Sequence, residues 1–537
     1  MVIRDWKEGA DRAQKLRQST LEKVPNYIRD EDLPKDLGTY VVDVPKQVLT
    51  PRELELTEGN DATSLVAGLQ SGKLTATEVV KAFLRRATLA HKLVNCVTEF
   101  LADDALARAA ELDEYFKKNG KPIGPLHGLP ISIKDHIGVK GKTQSLGYCS
   151  LMDATADVDA DIVTILYKMG AIFHVRTTQP QMLFSIDTSS PLWGNTVTPY
   201  NRNLTAGGSS GGEGALIAMR GSVLGLGTDI GGSVRVPAAH NNIYAFRVSG
   251  RRTPYDGICL HGPASEQILC IVGPMAVSLR DCTFFLKALL DAEPWNVDPY
   301  VLRMPWREVP KRRDFTVGVM WTDGVVQPHP PVSRVLKETV DKLEAAGIKT
   351  VEWKPDDHKK GWEIISGLYW TANGKLQYEY MNASGEPWYP LTKWILPENP
   401  QAIDRTTSDN GDLLAQREAY KKQYVKLMNE AGVDFILCPT TIGAAMPIQK
   451  SRYWQYTAQW NLLDYPCIAF PAGQVDLSKD KIDESYKPTS ELDKFFYDLY
   501  KPEDFEKAPV GLQLVGRTYH DEEVASAMEV LDEILHK

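Results

Sequence analysis

The sequence predicts an α/β fold in which helices and strands alternate along one large chain. Patterns typical of helices, with apolar residues three or four positions apart, are interleaved with short apolar runs typical of buried strands over most of the length. Hydrophobic residues make up 43% of the 537 positions, which is enough for a large core. A run of about 18 apolar residues, which a membrane span would need, does not occur. These observations favour one layered α/β architecture.

The first elements are helical. Residues 1 to about 60 are polar and contain several prolines, and we expect them to form an N-terminal arm that packs on a main domain of residues 61–537. The stretch "LTATEVVKAFLRRATLAHKL" predicts a helix that begins with a capping box, Thr75 to Glu78. A second helix is predicted in "DDALARAAELDEYFKK".

Strands and further helices follow. "LPISIKD", residues 129–135, predicts a short buried strand, and "DIVTILYKMGAIFHVRTT" predicts a helix, a turn at Gly170 and a strand. "SRVLKETVDKLEAAGIKTVEW" repeats that pairing. "DFILCP", "YPCIAFP" and "VGLQLVG" are candidate core strands, and the chain closes with a helix in "DEEVASAMEVLDEILHK". The charged stretch from Val475 to Lys507 is predicted to be a solvated excursion.

Charge and cysteine usage limit the partners and the compartment. The net charge of −9 argues against nucleic acid as a partner, because phosphate binding needs a concentrated basic face. The N-terminus has charges throughout and no apolar core, so we expect no secretory signal. Seven cysteines without a C-x-x-C pair fit reduced thiols in a cytoplasmic protein better than disulfides or a zinc site.

The most unusual region is rich in glycine, with ten glycines between Gly207 and Gly232. One interpretation is a turn-rich structural segment. A phosphate-binding loop is disfavoured, because no lysine follows the glycines as in a Walker motif and no G-x-G-x-x-G opens a dinucleotide unit. Around Ser233 the second glycine of the G-x-S-x-G elbow is missing, which disfavours an α/β-hydrolase. Glycines before a serine also let backbone N–H groups converge on one point, as in an oxyanion hole.

Two blocks carry a family resemblance. "GGSSGGEGALIAMRGSVLGLGTDIGGSVRVPAA" resembles the core of the amidase signature family, and the upstream "GPLHGLPISIKD" resembles its lysine segment. The blocks occur in the family's order, "QLVGR" fits its C-terminal end, and much of the chain from about Leu49 onward is similar to fungal acetamidases. The resemblance implies the amidase signature fold, a mixed central β-sheet between layers of α-helices.

The resemblance also implies a Ser-cisSer-Lys triad. Matched position by position, Lys134 of "ISIKD" is the base, Ser209 of "GGSSGG" the bridging serine and Ser233 of "GTDIGGS" the nucleophile. The family's cis peptide would join Gly208 to Ser209. A neutral Lys134 would require burial among apolar neighbours, which "PISIKD" favours. No metal or cofactor is expected.

Further residues are expected to bind substrate or support the site. The oxyanion donors would be the N–H groups from Ile230 to Ser233, and the resemblance places the backbone of Leu183 against the substrate. Arg235 has two alternatives, pairing with a carboxylate such as Asp229 in support of the loop, or a plain salt bridge. The residues expected to form the oxyanion hole or contact substrate are Ile230, Gly231, Gly232 and Leu183. The residues expected to support the site are Gly208, Ser210, Thr228, Asp229 and Arg235. Ser210 is alternatively only a turn residue.

Other nucleophiles and bases were weighed against this triad. His127 and His136 flank Lys134, but the family uses neither as a base. Cys149, in "GYCSLMD", has no accompanying motif of a cysteine nucleophile. The aromatic segments "SGLYWTANG" and "SRYWQYTAQWNLLDY" fit either the acyl pocket or the core.

The expected function is hydrolysis of small aliphatic amides, such as acetamide, to acid and ammonia through an acyl-serine. Carbamate esters such as urethane are further candidate substrates. One alternative is a fatty-acyl amide hydrolase, which would need a long acyl tunnel and an apolar membrane-binding cap. Another is the ammonia-producing subunit of an aminoacyl-tRNA amidotransferase. A small-molecule amide is the expected partner, and the resemblance suggests a homodimer.

Overall fold

The fold is built around one long mixed sheet. The computed structural model describes residues 3–258, 266–370 and 372–536. In chain order the strands are β1 (Val97–Phe100), β2 (Pro130–Lys134), β3 (Ile172–Thr177), β4 (Ser189–Ser190), β5 (Gly194–Asn195), β6 (Val197–Thr198), β7 (Asn201–Thr205), β8 (Leu224–Asp229), β9 (Tyr244–Arg247), β10 (Ile271–Ala276), β11 (Thr316–Val319), β12 (Lys349–Glu352), β13 (Phe435–Pro439), β14 (Cys467–Gln474) and β15 (Pro509–Val515). Within the described residues, eleven of these strands form the sheet, in the spatial order β1-β3-β2-β8-β10-β9-β14-β15-β13-β11-β12.

Helices flank this sheet, as the α/β prediction requires. In chain order they are α1 (Trp6–Leu21), α2 (Pro45–Val48), α3 (Pro51–Glu58), α4 (Ala62–Gln70), α5 (Ala76–Val94), α6 (Ala102–Asn119), α7 (Asp161–Lys168), α8 (Gly211–Ala218), α9 (Arg235–His240), α10 (Leu279–Asp291), α11 (Pro330–Ala345), α12 (His358–Tyr369), α13 (Lys375–Ser384), α14 (Pro390–Ile395), α15 (Thr407–Glu430), α16 (Gln455–Leu463), α17 (Glu491–Leu499) and α18 (Asp521–Leu535). The expected mixed central sheet with flanking helices is confirmed.

The two strands that matter most for function lie side by side. β2 pairs in parallel with β3 and with β8, and Ile133 stands opposite Leu226. Every residue of β2 and β8 is buried, as expected for parallel strands covered on both faces. Because neighbouring parallel strands end at the same edge, Lys134 of β2 and Thr228 of β8 come together there.

The N-terminal residues share the main core. Leu21, Val24, Ile28 and Val41 are buried in the same apolar cluster as Phe83 of α5. α1 packs on β1 and on the short turn of 3₁₀-helix at Cys149–Leu151. The first 60 residues therefore pack against the rest of the chain over an apolar face.

Two local expectations need correction. Thr75 does cap α5, accepting from the N–H of Glu78, but the Glu78 carboxylate pairs with Arg52 at 2.8 Å instead of completing a capping box. The stretch from Val475 to Lys507 is only partly solvated, because it contains α17 and buries residues such as Phe496. Phe496 and its neighbours anchor this segment, and charge content alone does not reveal such anchors.

Cysteines and membrane-spanning potential complete the description. Six cysteines are buried and unpaired by disulfides, and Cys259 lies outside the described residues. In the described part of the chain, the helices lack the combination of length and apolar character that crossing a membrane requires.

Candidate active site

Lys134 ends β2 with its side chain inside the protein. The residue has no exposed surface. Its Nζ lies 2.6 Å from the Ser209 Oγ and 3.2 Å from the Thr228 Oγ1. Burial lowers the pKa of Lys134 to about 7, because the charged form loses its hydration. A substantial fraction of the molecules thus carries a neutral amine near neutral pH, and a neutral amine can accept a proton.

Ser209 lies in the loop between β7 and α8. The Gly208–Ser209 peptide bond is cis, as the family resemblance implies. A Cβ at Gly208 would come within 2.6 Å of the Ser185 carbonyl oxygen and the Asp187 nitrogen. Only glycine fits this close approach of two backbones, which brings Ser209 to Lys134.

Ser210 joins the Ser209 loop to the turn that follows β8. Its N–H donates to the Ser233 carbonyl at 3.1 Å. Its hydroxyl donates to the Thr228 carbonyl, and accepts from the Thr228 N–H, both at 3.4 Å. Ser210 is therefore more than a turn residue, since it fixes the spacing between the loops of Ser209 and Ser233.

Ser233 lies in the turn between β8 and α9. It is 8% exposed, compared with 3% for Ser209 and none for Lys134, so it is the member of the three that faces outward. Between the described residues Ser209 and Ser233, the structure records no hydrogen bond joining the two hydroxyls. Their connection runs through the backbone of Ser210.

Asp229 holds this turn together. Its carboxylate accepts from the N–H groups of Gly232 at 2.8 Å and Val234 at 3.3 Å, and from Asn461 Nδ2 at 2.8 Å. Arg235 pairs with it through two nitrogens. Burial would raise the pKa of Asp229, but the charge and hydrogen bonds of Arg235 lower it below its usual value. The expected Asp229–Arg235 pair is present and fully buried.

The backbone donors of the turn differ in availability. The Gly232 N–H is already engaged by Asp229, contrary to its expected place among the oxyanion donors. The N–H groups of Ile230, Gly231 and Ser233 are the remaining candidates. Gly232 has a φ of +128°, and a Cβ there would lie 2.2 Å from the Thr457 Oγ1, so this position requires glycine.

Side chains of the two aromatic segments, which we call the aromatic wall, pack against the glycine turn. The sequence left the role of these segments open. The Tyr369 hydroxyl donates to the Ile230 carbonyl at 2.9 Å, and the Thr457 hydroxyl donates to the Gly231 carbonyl at 2.7 Å. A Cβ on Gly231 would lie 3.2 Å from the Trp454 Nε1. The aromatic segments thus contact the glycine turn from more than 130 residues away in sequence, a distance at which no local pattern could indicate the contact.

Leu183 lies in a sharp loop. Met182 and Leu183 both have left-handed backbones, with φ of 65° and 61°, which is rare for bulky residues. Phe184, the next residue, packs on Tyr369 and Trp370 with ring centroids 5.4 and 4.6 Å apart. This loop therefore shares the aromatic wall that contacts the Ser233 turn.

The rejected alternatives have different surroundings. His127 precedes β2 at the end away from Lys134 and stacks near Phe116, with ring centroids 5.7 Å apart. Burial raises the pKa of the Cys149 thiol far above its usual value, and the nearby Glu386 carboxylate adds to this, so a thiolate is disfavoured. His136 does lie near Lys134, with its Nε2 3.2 Å from the Thr228 Oγ1.

A buried carboxylate, that of Glu213, influences the charge of Lys134. Glu213 of α8 accepts hydrogen bonds from Ser132 at 2.6 Å and Thr177 at 2.7 Å. Burial raises its pKa to about 7, and its charge in turn favours the protonated form of Lys134. The sequence analysis did not single out Glu213, because a glutamate inside a glycine-rich run has the appearance of a solvated residue.

Comparisons with known proteins agree with this geometry. A model of the amidase family matches residues 78–525. An acetamidase of Emericella nidulans is 38% identical over 547 residues, covering 99% of this chain and 98% of that protein. An acetamidase of Aspergillus oryzae is 37% identical over 552 residues, covering 100% of both. A solved structure of a fatty acid amide hydrolase superposes with a TM-score of 0.94 at 37% identity, covering 98% of this chain and 95% of that one.

Proposed function

The chain belongs to the amidase signature family and is a hydrolase of amides, and we propose that it cleaves small aliphatic amides to a carboxylic acid and ammonia with Ser233 as the nucleophile. The observation that carries the proposal is the buried contact of 2.6 Å between the Lys134 Nζ and the Ser209 Oγ. Burial lowers the pKa of this lysine to about 7, so it can serve as a base where an ordinary lysine cannot.

In the proposed reaction, protons move along one line. Neutral Lys134 takes a proton from Ser209, which takes one from Ser233 as its Oγ attacks the amide carbonyl. This step requires the Ser233 hydroxyl to reach Ser209, and catalytic contacts of this kind often tighten only when substrate is bound. The N–H groups of Ile230, Gly231 and Ser233 stabilise the oxyanion, each donor being worth about 3–4 kcal/mol of the barrier.

The second half of the cycle reverses the proton path. The proton on Lys134 returns through Ser209 to the departing nitrogen, which leaves as ammonia while the acyl group stays on Ser233. Water then gives a proton to the same relay and attacks the acyl ester. The acid leaves, and Ser233 regains its proton.

Small amides are proposed as the substrates because two acetamidases match the chain over its full length. Carbamates such as urethane offer a similar carbonyl and remain candidate substrates. A main catalytic domain of residues 61–537, a homodimer and a cytoplasmic location also stay predictions.

A fatty-acyl amide hydrolase is the second candidate, favoured by the close superposition on a fatty acid amide hydrolase. A cavity of about 590 Å³, lined in part by Trp362, Trp394 and Tyr453, provides further support. Trp454 packs on both tryptophans, with ring centroids 5.3 Å apart in each case, and contacts the Ser233 turn. Movement of Trp454 would connect this cavity to the turn and make room for a long acyl chain.

Ammonia release from acetamide through hexanamide, with ethyl carbamate alongside, separates the candidates. Maximal activity at two to four carbons supports the first candidate, and activity that rises with chain length supports the second. Ser233→Ala and Lys134→Ala should each abolish release. Ser222→Ala is the matched control, since Ser222 lies in the same glycine-rich region and its hydroxyl donates to the Leu224 carbonyl, away from the three proposed catalytic residues. Activity that survives Ser233→Ala would refute the assignment of the nucleophile.

A further inference from the structure

The Thr228 hydroxyl lies between Lys134 and His136. Its Oγ1 is 3.2 Å from the Lys134 Nζ and 3.2 Å from the His136 Nε2. A hydroxyl has one hydrogen to donate, so its direction matters. If Thr228 donated to Lys134, it would occupy the single lone pair of the neutral amine, and Lys134 could not accept a proton from Ser209.

The partners of His136 determine that direction. The Gln179 Nε2 donates to the Asp135 Oδ2 at 3.1 Å, which leaves the Gln179 Oε1 facing the His136 Nδ1 at 3.0 Å. A carbonyl oxygen only accepts, so Nδ1 must carry the ring hydrogen. When the ring is neutral, Nε2 is then its acceptor, and it takes the hydrogen of Thr228.

Asp135 lies at the far end of this series of hydrogen bonds, beyond Gln179. Its carboxylate faces the hydroxyls of Thr98 at 3.0 Å and Ser145 at 3.2 Å, and the Arg176 guanidinium at 3.5 Å. Burial raises the pKa of Asp135, while the charge of Arg176 acts in the opposite direction. The carboxylate faces these donors and also accepts from Gln179, which holds the Gln179 amide in one orientation.

We infer that His136 is a positioning residue for the amide-hydrolysing base: it accepts the Thr228 hydrogen, so that Thr228 in turn accepts an N–H from Lys134 and the amine lone pair points at Ser209. The inference rests on the proposed role of Lys134 as the base. In this role His136 acts through Thr228 and not directly on the reacting atoms.

A double-mutant cycle tests this inference. His136→Leu removes the acceptor and frees Thr228 to donate to Lys134, and it should lower kcat about tenfold to a hundredfold with little change in KM, within the range of general-base catalysis. Thr228→Val removes the competing hydroxyl and should cost less. The double variant should match Thr228→Val alone, because the inferred effect of His136 passes through the Thr228 hydroxyl. Losses that multiply in the double variant would overturn the inference.

Conservative variants separate positioning from folding. His136→Gln can present an oxygen to Thr228 and should recover most of the activity that His136→Leu loses. If His136→Leu fails to fold, Gln179→Leu can take its place in the cycle with Thr228→Val. This variant removes the oxygen that selects the tautomer of His136. An additive result in that cycle, or no recovery with a folded His136→Gln, would count against the inference.

A substrate-independent readout distinguishes failure of the inference from failure of the proposed function. The rate at which an alkyl fluorophosphonate modifies Ser233 reports activation of the nucleophile whatever the natural amide is, with Ser233→Ala as the blank. One outcome is that the wild-type protein releases no ammonia while the probe still modifies Ser233. If the labelling rates of the variants then show the expected non-additive cycle, the substrate proposal fails and the positioning role stands. If it hydrolyses amides but the cycle is additive, only the role of His136 fails.

Discussion

Arg235 forms a bidentate ion pair with Asp229 across the turn that contains Ser233. The Arg235 Nε lies 3.0 Å from the Asp229 Oδ2, and the Nη2 lies 3.1 Å from the Oδ1. The same guanidinium donates to the Thr457 carbonyl at 3.1 Å, and Thr457 bonds Gly231 in return. One buried ion pair thus connects the end of β8, the glycine turn and the helix behind it.

Arg235→Met should destabilise the protein strongly, because it leaves the Asp229 charge buried without its partner. We expect a loss of about 3–5 kcal/mol in the free energy of unfolding, measured by urea denaturation. Arg235→Met combined with Asp229→Asn should recover part of that loss, since the uncompensated charge is gone. Lys311→Met is the control, because the exposed Lys311–Glu533 pair contributes at most about 1 kcal/mol. Equal losses of stability in Arg235→Met and Lys311→Met would contradict the role given to burial of the Asp229–Arg235 pair.

Gly232→Ala should impair the turn without touching a reactive group. A methyl there would lie 2.2 Å from the Thr457 Oγ1, in a backbone region with φ of +128° that L residues avoid. We expect at least about a tenfold fall in kcat and a stability loss of more than about 1 kcal/mol. Steady-state kinetics and thermal unfolding measure the two effects.

Gly411→Ala is the matched control for that substitution. Gly411 lies inside α15, and a Cβ there would meet nothing within 4 Å. Alanine favours the helix, so this variant should gain about 0.5–1 kcal/mol and keep full activity. A Gly232→Ala protein that behaves like Gly411→Ala would show that the turn tolerates a side chain.

The sequence predicted the elements that carry local patterns and missed those that depend on distant contacts. The strand β2 follows from an apolar run, and the structure brings Lys134 to Ser209, as the family resemblance implies. The strand β8 was not predicted, because its sequence LGLGTD alternates with glycine and lacks the apolar run of a typical strand. Tyr369 and Thr457 were left open, because their partners lie more than 130 residues away. Gly232 was assigned as a free donor because the sequence cannot reveal that the Asp229 carboxylate turns back toward its N–H.

Lys134→Met should change how stability depends on pH. The pKa of Lys134 falls from an ordinary value near 10.5 to about 7 on folding, because the side chain is buried. Between those values the unfolded chain binds a proton that the folded chain does not, so the contribution of Lys134 to the free energy of unfolding rises with pH. Relative to Lys134→Met, the wild-type protein should gain about 1.4 kcal/mol per pH unit from pH 7 to pH 9. Urea denaturation at several pH values tests this, with the exposed Lys121→Met as control. Parallel stability curves for wild type and Lys134→Met would contradict the lowered pKa of Lys134 in the folded protein.

Glu213→Gln should move the acid limb of the pH–rate profile to lower pH. Activity requires neutral Lys134, so kcat/KM should fall as pH drops through about 7, where this lysine gains its proton. The Glu213 charge favours that proton, and its removal should lower the apparent pKa of the limb by about half a pH unit or more. Glu386→Gln is the matched control, since burial also raises the pKa of Glu386 to about 7, but its carboxylate faces Cys149 rather than Lys134. An acid limb of kcat/KM that moves equally in both variants would indicate a general effect of lost charge. An acid limb that moves only in Glu213→Gln would identify Lys134 as the titrating base.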